Sequence, residues 1–381
     1  MSISYHVVLK NQSGVQVALF DDWRTLSFAH RVNSVGSFSF GINGDDSRAS
    51  LFALDGQIEI YRSNLQQSIS SYLEFEGLIR AYERRYDADG KRSFVVEGRG
   101  YNDLLARRIV AYYTGSAYSN KSGVAETVMK EFVSQNAAAS ATAPPRLFDG
   151  VLAGLTVQAD GATGVSWTGA RAYRNLLEVL QGIANDTGTM DFDVVGNGAA
   201  AYLFKTYLNQ RGTDRTTAGL SASTGLNTAG NAPVVFSVLF GNMEQPIYRD
   251  TRLSEINAVM VLGGGAEDAR AVVQRTNSSA IADSPINRRE ISKDARNESA
   301  TAGLNTVGDT ALLNLQRKQT FNFKFIETDS TQYGRDFMWG DKVTARFDEI
   351  EMDKKIVQVT ISISQSDPQE NITMELADVP R

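Results

Sequence analysis

Phe321-Asn322-Phe323-Lys324-Phe325, Val357-Gln358-Val359-Thr360-Ile361-Ser362-Ile363 and Ile372-Thr373-Met374-Glu375-Leu376 alternate apolar and polar residues within the tract from Phe321 to Arg381. A period of two places each apolar set on one face of a strand. The tract therefore predicts strands of an antiparallel sheet with one buried face. Between the first two runs, Trp339-Gly340-Asp341 predicts a turn into a further short strand.

The same period recurs at the other end of the chain. Tyr5 to Leu9 and Val15 to Phe20 predict a hairpin whose loop uses Gly14 at positive φ. Arg24 to Val32, Ser37 to Ile42 and Gln57 to Arg62 continue the pattern, with a turn at Asn43-Gly44. Tyr72 to Tyr86 and Lys91 to Gly98 predict a long hairpin turning at Asp87 to Gly90. Gly77 interrupts the outgoing strand and predicts a bulge or a close backbone approach. Asn102 predicts the cap of a short helix over Asp103 to Arg108.

The periodicity changes in the middle. Val124, Val128, Met129 and Phe132 form one helical stripe, and Tyr173, Leu176, Leu177, Leu180 and Ile183 form a stronger one that ends near Gly188. Asn136 to Pro145, with Pro144-Pro145, predicts a surface loop. Met190 to Val195, Ala200 to Tyr207 and Pro233 to Phe240 predict strands. Asn209 to Asn231 has almost no large apolar residue and predicts a mobile loop. Ile256 to Leu262 and Ala271 to Arg275 predict a pair joined through Gly263-Gly264-Gly265. A helix is expected from about Ser299 to Leu315, with Leu304, Val307, Ala311 and Leu315 inward. The fold class expected is mainly β with an α/β insertion (α+β). Its domains would be a first β-barrel over 1–114, a mixed insert over 115–208, a flexible loop over 209–232 and a second β-barrel over 233–381, the two barrels free to share strands.

A length of 381 residues predicts two or three domains, and 42% hydrophobic residues suffice for real cores. The 38 basic and 44 acidic residues give a net charge of −6, and no basic run exceeds two, which argues against a nucleic-acid-binding surface. With no cysteine, disulfides and thiolate chemistry are excluded. No secretion signal and no apolar run of the ~20 residues a membrane helix needs are present, so a soluble chain with no membrane span, folding in a cytoplasm, is expected.

Candidate chemistry is sparse. Gly263-Gly264-Gly265 fits neither dinucleotide nor phosphate-loop spacing, and reads as a hairpin loop. Asp87-Ala88-Asp89-Gly90 begins like a calcium loop but lacks the closing Glu, so a turn is preferred. Asp186, Asp191 and Asp193 cluster in sequence. Asp191 and Asp193 share a strand face and are the candidates for a metal or a carboxylate pair, without a His partner. His6 and His30 lie in predicted strands with no nucleophile elbow, which favours packed or solvent-facing roles. Arg84-Arg85, Arg107-Arg108 and Arg288-Arg289 read as salt-bridging surface pairs, some of which could sit at a subunit interface. No catalytic residue, cofactor or enzymatic activity is expected.

Four stretches together resemble the tail hub proteins of long-tailed bacteriophages, including the siphovirus Gp37-like family. They are Arg92 to Ile109 with Gly98 and Arg108, Ala258 to Arg270 with Gly263, Gly265 and Arg270, Asn287 to Arg296 ending in Arg296, and Tyr333 to Val343 with Gly340-Asp341. The resemblance covers about 250 residues in one order and is weakest over 115 to 235. It implies two tube-like antiparallel β-barrel domains with accessory α/β elements, three copies forming a ring that closes the distal end of the tail tube, and a place in the virion after assembly in the host cytoplasm. The partners it implies are a distal tail or tube protein, a tape-measure protein and fibre or spike proteins, with DNA passing through without specific binding. Many relatives carry an added peptidase or lysozyme module, which is not expected here because the chain stops at Arg381. A cell-surface-binding or carbohydrate-active β protein using Asp191 and Asp193, or another tail ring protein, remains the alternative.

Overall fold

The structure is a computed structural model that describes residues 3–86, 90–111, 115–296 and 301–379. The chain folds as two compact units. The first comprises 1–119, 123–245 and 323–381; the second comprises 120–122 and 246–322.

The chain begins with β1 (Ile3–Lys10), β2 (Gln16–Phe20), β3 (Thr25–Arg31), β4 (Ser37–Asn43), β5 (Gln57–Asn64), β6 (Ile69–Tyr86) and β7 (Arg92–Gly100). The mixed region follows with α1 (Asp103–Ala106), β8 (Ser119–Val124), α2 (Ala125–Asn136), β9 (Leu155–Val157), β10 (Ser166–Arg171), α3 (Leu176–Thr187), β11 (Met190–Gly196) and β12 (Tyr202–Leu208). Short strands β13 (Asp214–Arg215) and β14 (Val235–Ser237) precede β15 (Met243–Thr251). Unit two then holds β16 (Ala258–Leu262), β17 (Val272–Thr276), α4 (Ser278–Ala282), β18 (Glu290–Asp294) and α5 (Thr301–Asn314). The chain closes with β19 (Lys318–Phe325), β20 (Lys342–Phe347), β21 (Ile350–Ser364) and β22 (Asn371–Asp378).

In unit one, one sheet runs β13-β20-β21-β3-β4-β7-β6-β5-β1-β2, with β14 also on β20 and β22 also on β21. The path is open, which corrects the expectation of two barrels: no closed barrel forms among the described residues. The reason is the length of β21, whose residues 350–355 pair with β20 and 358–364 pair with β3. The C-terminal tract thus continues the N-terminal sheet. The sheet nevertheless rolls onto an aromatic core, because Phe20 of β2 meets Phe40 of β4 at 5.4 Å and Tyr5 of β1 meets Phe28 of β3 at 6.1 Å. These strands are not neighbours in the hydrogen-bonded order; their shared apolar face brings them together.

Within β21 alternation holds except at one point. In β21, Val359 and Ile361 are buried as expected, but Ile356 takes the inward place expected for Val357. The pairing with β22 slips between Ile356 and Gln358, and the extra residue of such a bulge reverses the phase of all that precedes it. The first run of the tract, in β19, buries Phe321 and Phe325 but pairs with β15 in a separate ribbon. Gly77 is a close approach rather than a bulge, since a Cβ there would lie 2.6 Å from the Arg99 carbonyl. The Asp87 to Asp89 turn lies outside the described residues.

The mixed region of unit one packs α2 and α3 over the β11-β12-β9 sheet, burying Phe132, Leu176, Leu180, Ile183, Phe192 and Phe204. Each such side chain contributes roughly 1.5–3 kcal/mol through burial. Asn175 caps α3 by accepting from the Glu178 backbone N–H at 3.3 Å, and Gly188 ends it at φ +62°. Tyr173, expected on the helix stripe, precedes that cap and is exposed. Asn102 does not cap α1, which stops at Ala106. Its amide instead donates to Ser34 O at 2.9 Å and accepts from Val194 N–H at 2.8 Å, tying three segments together. The segment after α2, expected as a surface loop, buries Ala137, Ala138, Ala141 and Arg146.

In unit two, α5 packs Leu304 and Ala311 on Val259 and Val261 of the β17-β16-β18 sheet. The β16–β17 pair is antiparallel and β18 is parallel to β16.

Candidate functional site

The buried polar groups of unit one concentrate where the C-terminal tract meets β3, β5 and β6. Alternation puts His30 and Arg62 on the inner face of β3 and β5, and a bulge in β6 turns its extra residue, Glu74, inward beside Phe75; polar side chains survive there only when partnered. Glu74 Oε1 lies 2.9 Å from His30 Nε2 and accepts from Tyr333 Oη at 2.8 Å. Burial alone would raise the Glu74 carboxyl; the hydrogen bonds from His30, Tyr72 and Tyr333 bring it below its ordinary value. Arg62, fully buried, donates Nε and Nη2 to Glu370 at 2.8 and 2.7 Å and Nη1 to Tyr333 O at 3.1 Å. Tyr5 Oη also donates to Glu370. Burial by itself drives the Glu370 carboxyl up, to about 8. The bidentate guanidinium of Arg62 acts in the opposite direction, favouring the charged form. His30 stacks on Trp339 at 4.5 Å, and the Arg211 guanidinium covers the same indole at 3.4 Å.

Beside this network is a cleft of about 340 Å³ bordered by His30, Glu74, Glu76, Asp193, Arg211 and Trp339. Glu76 accepts from the Gly196 N–H at 2.5 Å. Burial, with repulsion from Asp193 and Glu59, raises its carboxyl to about 7.

Four of the sequence-predicted residues converge on one segment, Arg211 to Arg215. Asp191 accepts from Arg211 N–H at 2.7 Å, and Asp193 from Arg211 Nε at 3.0 Å. Gly340 O accepts from Gly212 N–H at 3.2 Å, while Gly340 itself turns at φ +87°. Asp341 accepts from Thr213 N–H at 2.6 Å, Met338 N–H at 2.9 Å and Arg215 Nε at 3.2 Å. Burial raises the Asp341 and Asp193 carboxyls, against these donors. Asp191 also holds Lys355 at 2.5 Å and Asn33 at 2.8 Å. The paired acids thus act as acceptors that seat 211–215 against β20. Among the described residues no three His, Asp or Glu side chains converge as a metal-ligand set. Asp186 accepts from the Trp167 indole at 3.0 Å.

The segment from Asn209 to Asn231 is knitted by its own polar side chains. Asn227 donates to Asp214 O and Thr216 O at 2.9 and 3.0 Å and accepts from Asn231 N–H at 2.9 Å.

The other predicted residues have packing roles. A Cβ on Gly98 would lie 2.2 Å from Leu78 O and 2.3 Å from the Phe38 ring, so only glycine fits between them. In unit two, Gly265 turns at φ +102° and Gly263 O accepts from Arg270 Nε at 3.1 Å. Arg270 also meets Asp294 at 3.1 Å, as does Arg296 at 2.7 Å, so these four residues share one corner of the small sheet. Arg108 stands apart: burial and the adjacent Arg107 lower it below the usual guanidinium value. His6 is half-buried beside Asp21, and His30 is packed. Sequence reasoning did not single out Arg62, Glu74 or Glu370. The one signal available was a charged residue at the inward position of Arg62 in β5; Glu74 sits on a bulge and Glu370 in the loop before β22, where alternation marks nothing.

A rolled open sheet carrying a helical insert, with its buried acids and bases spent on holding segments in place, has the architecture of bacteriophage tail proteins. The tail protein of Neisseria meningitidis MC58 matches with a TM-score of 0.56 at 14% identity, covering 99% of this chain and 97% of that one. The 43 kDa tail protein of prophage MuSo2 from Shewanella oneidensis matches at 0.57 and 10% identity, covering 98% of each. Prophage tail protein gp18 from Listeria monocytogenes EGD-e matches at 0.55 and 10% identity, covering 99% and 95%. These likenesses concern the fold. A family model matches residues 7–374, and the chain belongs to the Siphovirus ReqiPepy6 Gp37-like protein family. No curated protein matches the sequence. No helix among the described residues is long and apolar enough to cross a membrane.

Proposed function

We propose that this chain is a non-enzymatic structural subunit of the phage tail tip, a homotrimeric hub ring that closes the distal end of the tail tube. It joins a distal tail or tube protein and the tape-measure protein on one side to fibre or spike proteins on the other, and lets DNA pass without specific binding. The family match over residues 7–374 carries the reading. Two physical features support it. The sheet leaves β2, β13 and β22 each with one edge unpaired among the described residues, and such edges accept strands from neighbouring subunits. A net charge of −6 suits a lumen that does not retain phosphate.

Subunit counting in purified tails by quantitative mass spectrometry, with cryo-electron microscopy of the tip, tests it. Three copies at the distal end are expected. Six copies would assign the chain to a distal tail or tube ring, and antibody labelling confined to the capsid would overturn the reading.

A further inference from the structure

Arg107, Arg108 and Arg146 border a cleft of about 260 Å³ in unit one, with Ile109 and Phe148 on its walls and Asp149 as its lining carboxylate. Ile109 and Phe148 are 39% and 40% exposed. Arg107 is met by Asp103 at 2.5 Å, and Arg146 donates to the carbonyls of Phe148 and Ile109. Arg108 is not satisfied in this way. Its Nη1 reaches Arg107 O at 3.3 Å, and its Nε is buried with no partner among the described residues. A buried guanidinium donor without an acceptor is costly, and arginine beside exposed aromatic and aliphatic side chains is the composition of interface centres. The complement is a carboxylate between large apolar side chains.

The chain carries that complement itself. The β20–β21 hairpin turns on Asp348-Glu349, both exposed, between Phe347 and Ile350, which pair across the strands and are half-buried. Neither acid has an ion-pair partner among the described residues, and the nearby Arg346 is taken by Glu351 at 2.6 Å. Two adjacent like charges on a tight tip repel, so an opposing cation favours them doubly. The exposed pair Glu267-Asp268 in unit two has only Ala266 and Ala269 at its shoulders and lacks the apolar half of the match.

We infer that the β20–β21 tip of one copy docks in the Arg108 cleft of a second copy, Asp348 and Glu349 meeting Arg108 while Phe347 and Ile350 cover Ile109 and Phe148. The contact joins two different surfaces, which is the kind that closes into rings. Its biological setting rests on the hub-ring reading.

Sedimentation of the full chain tests it with Arg108→Glu, with Asp348→Lys/Glu349→Lys, and with all three substitutions together. Each reversal alone is expected to weaken self-association roughly tenfold or more, and the combination to restore it. Circular dichroism checks each fold; if Arg108→Glu fails to fold, Arg108→Gln takes its place for the single-variant loss alone, and the recovery arm is not read. A wild type that stays monomeric, a reversal without effect, or a combination that does not recover would each overturn the contact. The hub-ring reading is decided separately by the copy number in tails. Three copies with an association insensitive to the reversals would leave the ring and remove this contact.

Discussion

Glu370→Gln isolates the energetic core of the seam between the C-terminal tract and the N-terminal sheet. In the wild type Arg62 is fully buried, and two of its donors end on Glu370 at 2.7 and 2.8 Å. The substitution preserves volume and replaces the carboxylate by an amide, leaving the guanidinium in a low-dielectric site with Tyr333 O at 3.1 Å and Tyr72 Oη at 3.5 Å as its further acceptors. Removing one partner of a buried pair costs about 3–5 kcal/mol, whereas replacing both by apolar groups of similar volume is near neutral. Arg62→Met/Glu370→Leu should therefore be closer to wild type than either single change. At roughly 2 °C per kcal/mol for a chain of this size, the single variant should lose about 6–10 °C in melting temperature. The assay is a double-mutant cycle by urea denaturation at neutral pH, with melting followed in parallel. A single variant within about 1 kcal/mol of wild type, or a double variant as unstable as the sum of the singles, would refute the reasoning.

Further outcomes follow from the same geometry. Asp341→Ala strips acceptors from Thr213, Met338 and Arg215, and should cost about 2–4 kcal/mol and open the 211–231 segment to limited proteolysis. Gly98→Ala places a methyl against Leu78 O and Phe38, and should cost about 2–3 kcal/mol in urea unfolding. Glu76 has a carboxyl raised to about 7 in the fold, so the native state binds its proton more tightly than the unfolded chain. The stabilisation is complete below about pH 4.5 and is lost as pH rises through 7. It amounts to ~1–2 kcal/mol once partial exposure is allowed for, and Glu76→Gln should flatten that slope. Glu126 has the opposite sign. Burial raises it, but donors from Lys130, Thr163 and Gly161 outweigh this and lower it to about 2. Its contribution is present above about pH 4.5 and lost as pH falls toward 2, and Glu126→Gln should remove that acid limb from a stability-against-pH curve.

Alternation alone identified the strands of the sheet, the inward phase of Phe38, Phe40, Val359 and Ile361, and the two helices of the insert, because side-chain period is a local property of the backbone. The turn at Gly340-Asp341 was legible for the same local reason, whereas Gly98 was marked only by the family resemblance. The tertiary structure decided which strand pairs with which. Period two does not encode a partner, so β21 could be read as closing a second barrel when it extends the first sheet, and one bulge at Ile356 was enough to reverse its phase. It also decided what the charged residues do. Asp191 and Asp193 resemble a metal or carboxylate pair until Arg211 and Lys355 arrive from distant parts of the chain. Arg62 and Glu370 lie 308 positions apart, and only folding places one beside the other.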